Sequence, residues 1–351
     1  MRRISVRTGK PYEVLIEAGL LQKAGELLAA RGFRGKIALI SDDRVLSLHG
    51  TSLSNSLTEA GFQVVTYAFP NGEESKNMDT VSRILEFLAL NSMTRSDLIV
   101  ALGGGVVGDI AGFCAAIYLR GIRFVQLPTT LLAAIDSSVG GKTGVDLSSG
   151  KNLAGAFWQP ELVLCDPDVL GTLPEDIFNE GAAEAIKYGV IADRELFELL
   201  AAGRLHQELE QVIERCVQIK SQLVSEDEFD CGNRQLLNFG HTIGHAVEKC
   251  SNFRLRHGQA VAIGMVMMAK IAWQKGWSAE NCEGALREVL SHFRLPLESP
   301  YDFRSLSSAM LADKKRKGGE ITLVVPERIG KAVLRRIPVE ELPGLTGNNV
   351  L

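Results

Sequence analysis

The feature that most limits what this chain can fold into is a change of texture near Pro174. Before it, short apolar runs alternate with amphipathic stretches. Residues 14–16, 36–41, 62–68, 98–102 and 125–127 read as strands, while residues 19–31, 53–60 and 79–90 carry helical periodicity. After it, residues 178–189, 195–200, 208–223, 235–250, 258–275 and 279–293 all read as helices. Strand signals there shrink to residues 321–325 and 332–337. A β-α-β-α succession predicts a mainly parallel sheet covered by helices. The expected fold class is therefore an α/β N-terminal domain with a mainly parallel sheet, plus an all-α C-terminal domain. Ligand clefts commonly form between domains, so the active site is expected there.

The bulk numbers agree with two domains, since 351 residues exceed a typical single core. A hydrophobic share of 46% and a net charge of −4 describe an ordinary globular enzyme, with no basic excess for nucleic acid or an anionic membrane. Residues 1–7 are basic but lack the apolar segment of a signal peptide. The most apolar long run, residues 261–273, contains Lys270 and is too short to span a bilayer. The six cysteines form no C-x-x-C pair. A cytoplasmic protein is the expectation.

Chemistry concentrates between Asn238 and His257, which holds three of the six histidines: His241, His245 and His257. His241 and His245 are four apart, so on a helix they share a face. One histidine alone would be a polar residue on a solvated helix end. Three, with a carboxylate upstream, suit a catalytic metal, which usually takes three protein ligands and keeps one open position. That carboxylate is Glu184, in Ala183-Glu184-Ala185-Ile186-Lys187. An exposed Glu184–Lys187 helix pair would contribute only about 0.2–0.5 kcal/mol. The surrounding alanines and Ile186 argue instead for burial, where a carboxylate needs a partner such as a metal. Arg234 and Asn238 are expected on one helix with His241 and His245, and Lys220 near the end of the helix before it.

In the first half, Gly103-Gly104-Gly105-Val106-Val107-Gly108-Asp109 leaves a strand for a helix. Such a turn lets backbone N–H groups approach a phosphate. It departs from the usual dinucleotide fingerprint, because it lies past the first strand and no acid follows about twenty residues later. Asp42, ending an earlier strand, better suits a ribose. Thr129-Thr130 after a strand, and Glu73 and Lys76 in a polar loop, complete a pyrophosphate cradle. Asp136 to Thr143 and Gly150-Lys151-Asn152 read as polar, glycine-rich loops whose Lys142 and Lys151 suit an anionic ligand; no Walker A spacing is present.

Taken together, these segments resemble the 3-dehydroquinate synthase family of sugar-phosphate cyclases. The carrying stretches are residues 103–109, 128–130, 136–143, 150–152 with 155–160, 181–187, 234–248, 257–261 and 313–315, in family order. The resemblance implies an NAD-binding, Rossmann-like domain over residues 1–172 and a helical metal- and substrate-binding domain over residues 173–351. It implies NAD, a zinc or cobalt ion, a sugar-phosphate substrate and a homodimer. Glu184, His241 and His257 would be the metal ligands, and His245 would face substrate rather than share the ion with His241. Asp42, Glu73, Lys76, Gly104, Gly105, Val106, Asp109, Thr129, Thr130, Lys142 and Lys151 would line the NAD. Asp136, Lys142, Asn152, Lys187, Lys220, Arg234, Asn238, His245 and Lys314 would surround the substrate, with Arg120 reaching in from the partner subunit. One departure is visible: the family's Asp-Glu-x-Glu-x-Gly-x-Arg reads here with Asp230 at the second Glu position.

The implied reaction converts 3-deoxy-D-arabino-heptulosonate 7-phosphate to 3-dehydroquinate through transient oxidation, β-elimination of phosphate, reduction and aldol closure. The competing readings are another sugar-phosphate cyclase such as 2-deoxy-scyllo-inosose synthase, a metal-dependent polyol dehydrogenase, and an inactive NAD-binding protein. A neutral polyol would not call for so many lysines, and Lys220, Arg234, Asn238 and His245 keep the dehydroquinate-synthase residue types.

Overall fold

Seven strands lie side by side in the first half of the chain because five of them are near-continuous apolar runs, buried on both faces. The computed structural model of the chain describes residues 1–314 and 319–345. In chain order the elements of this half are β1 (Arg2–Val6), β2 (Tyr12–Ile16), α1 (Leu20–Ala30), β3 (Lys36–Asp42), the single turn α2 (Asp43–Val45), α3 (Thr51–Glu59), β4 (Gln63–Phe69), α4 (Met78–Leu90), β5 (Leu98–Gly103), α5 (Gly105–Ile117), β6 (Arg123–Pro128), β7 (Lys142–Leu147), β8 (Gly150–Phe157) and β9 (Leu162–Cys165). The second half carries α6 (Glu175–Ala192), α7 (Arg194–Ala201), α8 (Leu209–Glu226), α9 (His241–Cys250), α10 (His257–Gln274), α11 (Glu283–His292), α12 (Phe303–Lys314), β10 (Glu320–Arg328) and β11 (Lys331–Pro338). Two compact units result: residues 1–174 with 216–229, and residues 175–215 with 230–351. The stretch 216–229, which the sequence pattern puts wholly in the helical half, belongs to the first unit.

The large sheet has the order β1-β2-β9-β6-β5-β3-β4, parallel except for the antiparallel β1–β2 pair. The chain leaves β3 toward β4 on one side, and leaves β5 toward β6 and β9 on the other. The carboxyl ends of β3 and β5 therefore flank a topological switch point, where open α/β sheets bind ligands. Ser41 pairs with Leu102, and Gly103 with Pro128, so Asp42, the glycine turn and Thr129 emerge on one edge. Ile40, Val81, Ile84, Ile99, Ile110 and Phe124, all buried, interlock in one layer against the sheet. Each such side chain contributes roughly 1.5–3 kcal/mol by leaving water.

The glycine-rich stretch expected as loops is partly strand. β7 and β8 form an antiparallel hairpin in which Gly144 faces Gly155. A Cβ on Gly155 would lie 2.1 Å from the Thr143 carbonyl oxygen, so glycine is what allows the two backbones this close. In the second unit the two late strand signals pair as the β10–β11 hairpin.

Residues 235–250 are not one helix. A 3-10 turn, Asn233–Asn238, carries Arg234 and Asn238, and α9 begins afresh at His241. Gly240 separates them at φ 77°, in the left-handed region that glycine occupies without strain. The spacing of Arg234, Asn238 and His241, four residues and then three, thus does not place them on one helical face.

Candidate active site

Within the first unit, α5 starts against the switch point with no side chain over its first N–H groups, because Gly104 stands at the N-cap. A Cβ on Gly104 would lie 2.9 Å from Thr130 Cγ2, and one on Gly105 would lie 3.1 Å from Ser137 Oγ, so side chains here would fill the cradle. The free N–H groups and the helix dipole suit a phosphate. Asp42 is buried at the end of β3 and accepts from the Val45 N–H at 2.8 Å. Thr129 donates its backbone N–H to the Gly103 carbonyl at 3.0 Å. Its Oγ1 is sealed from solvent and has no hydrogen-bond partner among the described residues. Thr130 Oγ1 accepts from the Ala133 N–H at 3.1 Å.

Around this turn the charged residues are already paired. The Lys76 ammonium lies 2.7 Å from Asp109 Oδ2 and donates to Asn152 Oδ1 at 2.6 Å. Burial works against the Lys76 charge, but Asp109 and Glu73 outweigh it and hold the ammonium above its ordinary range. Asn152, at φ 55°, is pinned by its own N–H to Asp146 Oδ1 at 2.7 Å. Lys151 reaches Glu73 at 3.2 Å. Lys220, on the part of α8 that joins this unit, contacts the Asp136 carboxylate and donates to the Asp136 carbonyl at 2.6 Å. Lys142 is exposed at the start of β7, Val106 is half-buried in the first turn of α5, and Arg120 is exposed just beyond α5 at φ 66°.

The second unit brings three remote side chains to one point. Glu184 lies in the middle of α6, and His241 and His257 are the first residues of α9 and α10. Their ligand atoms all lie within 4.8 Å of one another. His241 Nε2 is 3.4 Å and His257 Nε2 3.3 Å from the same oxygen, Glu184 Oε1. The Lys187 ammonium contacts the other oxygen, and both Glu184 (1% exposed) and Lys187 (0%) are sealed from water. His245 falls outside this trio, its ring centroid 5.5 Å from that of His241. Arg234 is buried at 2% exposure, whereas Asn238 and His245 are exposed. Lys314 closes α12, but its side chain, like Lys315, lies outside the described residues. Asp230, the family departure, adopts φ 61°.

The tautomers follow from what each Nδ1 meets. His241 Nδ1 is 3.0 Å from the Phe239 carbonyl oxygen, and donation there leaves Nε2 with its lone pair. Burial pushes the His241 imidazole down to about 3, so it is neutral and fit to ligate. For His257 burial acts in the same sense, but hydrogen bonds to Glu184 and Glu248 overcome it and lift the ring to about 10. Each ring N–H then faces one carboxylate, and the proton on Nε2, beside Glu184, occupies ground that a cation can take over. One buried carboxylate and two imidazoles is a donor set suited to zinc or a similar ion. Glu248, seven residues after His241 and so on the same face of α9, was the residue sequence reasoning missed; its i+7 spacing was the available signal.

Close backbone packing is what brings these residues together. A Cβ on Gly264 of α10 would lie 2.0 Å from the Gly240 carbonyl oxygen. Only glycine lets α10 approach the start of α9 so closely, and the two imidazoles sit at these helix starts.

The family model described as 3-dehydroquinate synthase N-terminal matches residues 66–180, and the one described as 3-dehydroquinate synthase C-terminal matches residues 181–316. The 3-dehydroquinate synthase of Streptococcus thermophilus is 46% identical over 339 residues, 95% of this chain and 96% of the relative. Among solved structures, 2-deoxy-scyllo-inosose synthase complexed with carbaglucose-6-phosphate, NAD+ and Co2+ superposes with a TM-score of 0.87 at 26% identity, covering 98% of this chain and 99% of that one. The 2-epi-5-epi-valiolone synthase of Streptomyces hygroscopicus, with NAD+ and Zn2+ bound, also reaches 0.87, at 28% identity and 98% coverage of each chain.

Proposed function

The chain belongs to the 3-dehydroquinate synthase family, and we propose that the residues described above carry that family's reaction, from 3-deoxy-D-arabino-heptulosonate 7-phosphate to 3-dehydroquinate and inorganic phosphate. The observation that carries the reading is the meeting of Glu184, His241 and His257, with both imidazoles turning Nε2 to one buried carboxylate oxygen. These three would hold one divalent ion, zinc or cobalt. When bound, the ion supplies Lewis acidity toward a substrate hydroxyl, and NAD supplies a reversible hydride acceptor.

The rest is work for the chain's own groups. Asp42 would accept from a ribose hydroxyl, and Gly104, Gly105 and the first N–H groups of α5 would take the pyrophosphate. Thr129 Oγ1 would find its missing partner on the dinucleotide, with Glu73, Lys76, Val106, Asp109, Thr130, Lys142 and Lys151 completing the lining. Asp136, Lys142, Asn152, Lys187, Lys220, Arg234, Asn238, His245 and Lys314 would bind the substrate. A ligand with both a carboxylate and a phosphate favours such a cation-rich set, because charge-assisted hydrogen bonds are the strong ones. The same cations favour the departing phosphate, and His245 can hold or pass a proton at a substrate hydroxyl. Functionally the division falls at residues 1–172 for NAD and 173–351 for metal and substrate. Arg120 would serve the neighbouring subunit of a homodimer. Phosphorylated sugar acids and NAD are polar metabolites of the cell interior, which supports the reading of a cytoplasmic enzyme.

With zinc and NAD present, the protein is expected to release phosphate from the heptulosonate phosphate while NADH absorbance stays flat. Steady NADH growth on a polyol, or phosphate release only from another sugar phosphate, would overturn this reading. Thr129→Val offers a test of the nucleotide half. Replacing a buried unpartnered hydroxyl is expected to leave the melting temperature equal or higher. The NAD dissociation constant should rise about 2- to 10-fold, the worth of one hydrogen bond; calorimetric titration measures it.

A further inference from the structure

Metal-ligating histidines almost always donate their second ring N–H to a carboxylate, a carbonyl or water, and that partner fixes the ring. His241 does so through the Phe239 carbonyl. His257 turns its Nδ1 to Glu248 Oε1, 3.5 Å away, while its Nε2 faces Glu184. Glu248 is buried, and its place is held from several sides. Its carbonyl accepts from Ser251 Oγ and from the Phe253 N–H, both at 2.8 Å, which pins the last turn of α9. The Gly264 contact locks α9 to α10, the helix that His257 opens.

Resting on the metal reading above, we propose that Glu248 is the positioning residue for His257: its carboxylate accepts the Nδ1–H, holds the ring in the tautomer that leaves the Nε2 lone pair to the cation once the cation displaces the Nε2 proton, and raises that nitrogen's basicity toward it. Glu248 does not touch the ion in this arrangement. His245, Glu248 and His257 also bring ligand atoms within 4.8 Å of one another, so a second cation at that trio is the rival arrangement. Stoichiometry separates the two.

The test uses the full chain, with Zn2+ affinity read by chelator competition, Zn2+ content by atomic absorption and the ligand field by Co2+ visible absorption. Wild type is expected to bind one Zn2+ per chain, and His257→Ala to lose it. Glu248→Gln is isosteric and keeps an acceptor oxygen, so it should weaken Zn2+ binding about 10-fold and shift the Co2+ bands without loss of intensity. Glu248→Ala should weaken binding by about 10- to 100-fold and abolish the exchange-protected Nδ1–H of His257 in 15N spectra. Should the alanine variant unfold, the glutamine variant decides alone. Zn2+ affinity within twofold of wild type in folded Glu248→Gln and Glu248→Ala would overturn the positioning role, as would two ions per wild-type chain. If wild type binds no ion, or His257→Ala binds it normally, the ligand set itself is wrong and this inference falls with it.

Discussion

Glu184→Ala is expected to cost about 3–5 kcal/mol of stability and to abolish metal binding and phosphate release together. Glu184 contacts the fully buried Lys187 and lies 3.3–3.4 Å from two imidazoles. Removing the carboxylate takes from a buried ammonium the anion that contacts it, and breaking a buried pair in this way is expensive. At roughly 2–4 °C per kcal/mol, the melting temperature should fall by about 10 °C. His257→Ala separates the two effects. His257 is half-buried at the first position of α10, so its loss removes a proposed ligand while Lys187 stays in contact with the Glu184 carboxylate. That variant should stay folded and metal-free. Its phosphate release should drop by at least about 10²-fold, the rate equivalent of a few kcal/mol of transition-state charge stabilisation. Full metal content in His257→Ala would refute the ligand set, whatever happened to activity.

Gly264→Ala is the second large effect, and its sign is a contest between two terms. Helix propensity alone favours alanine over glycine by roughly 0.5–1 kcal/mol. Packing opposes it, because the new Cβ would sit 2.0 Å from the Gly240 carbonyl oxygen and 2.9 Å from the Gly244 nitrogen. Both are backbone atoms, and neither can swing aside as a side-chain end could. Overpacking of this kind costs about 1–3 kcal/mol and sometimes more, so packing wins and the variant is destabilised. Moving α9 off α10 also spreads the helix starts that carry His241 and His257. Zn2+ affinity is therefore expected to fall at least 10-fold while NAD affinity stays within twofold of wild type. A variant that melts higher than wild type and keeps its zinc would show that the helices separate without cost.

Much of this was legible because burial on both faces leaves a plain record. β3 and β5 are buried, mostly apolar runs, and they end at the switch point on Asp42 and Gly103. The β7–β8 hairpin was not legible, since Gly144, Gly150 and Gly155 read as loop until each is seen to admit a neighbouring backbone or a turn. β1, whose Ile4 and Val6 alternate with polar residues, and the four-residue β9 were too short to stand out. The break at Gly240 was hidden by an unbroken helical pattern on either side.

Residue types and their near spacing lie in the sequence: three histidines, a glutamate on an alanine-rich helix, a glycine turn after a strand. These set what chemistry the chain can support. Helical spacing alone favours pairing His241 with His245, because it reports only neighbours one turn apart. Glu184 and His257 reach His241 through the packing of α6, α9 and α10, a long-range arrangement that no local pattern encodes. Helical spacing could not choose among the three imidazoles, and the approach of Glu248 to His257 is visible only in that packing.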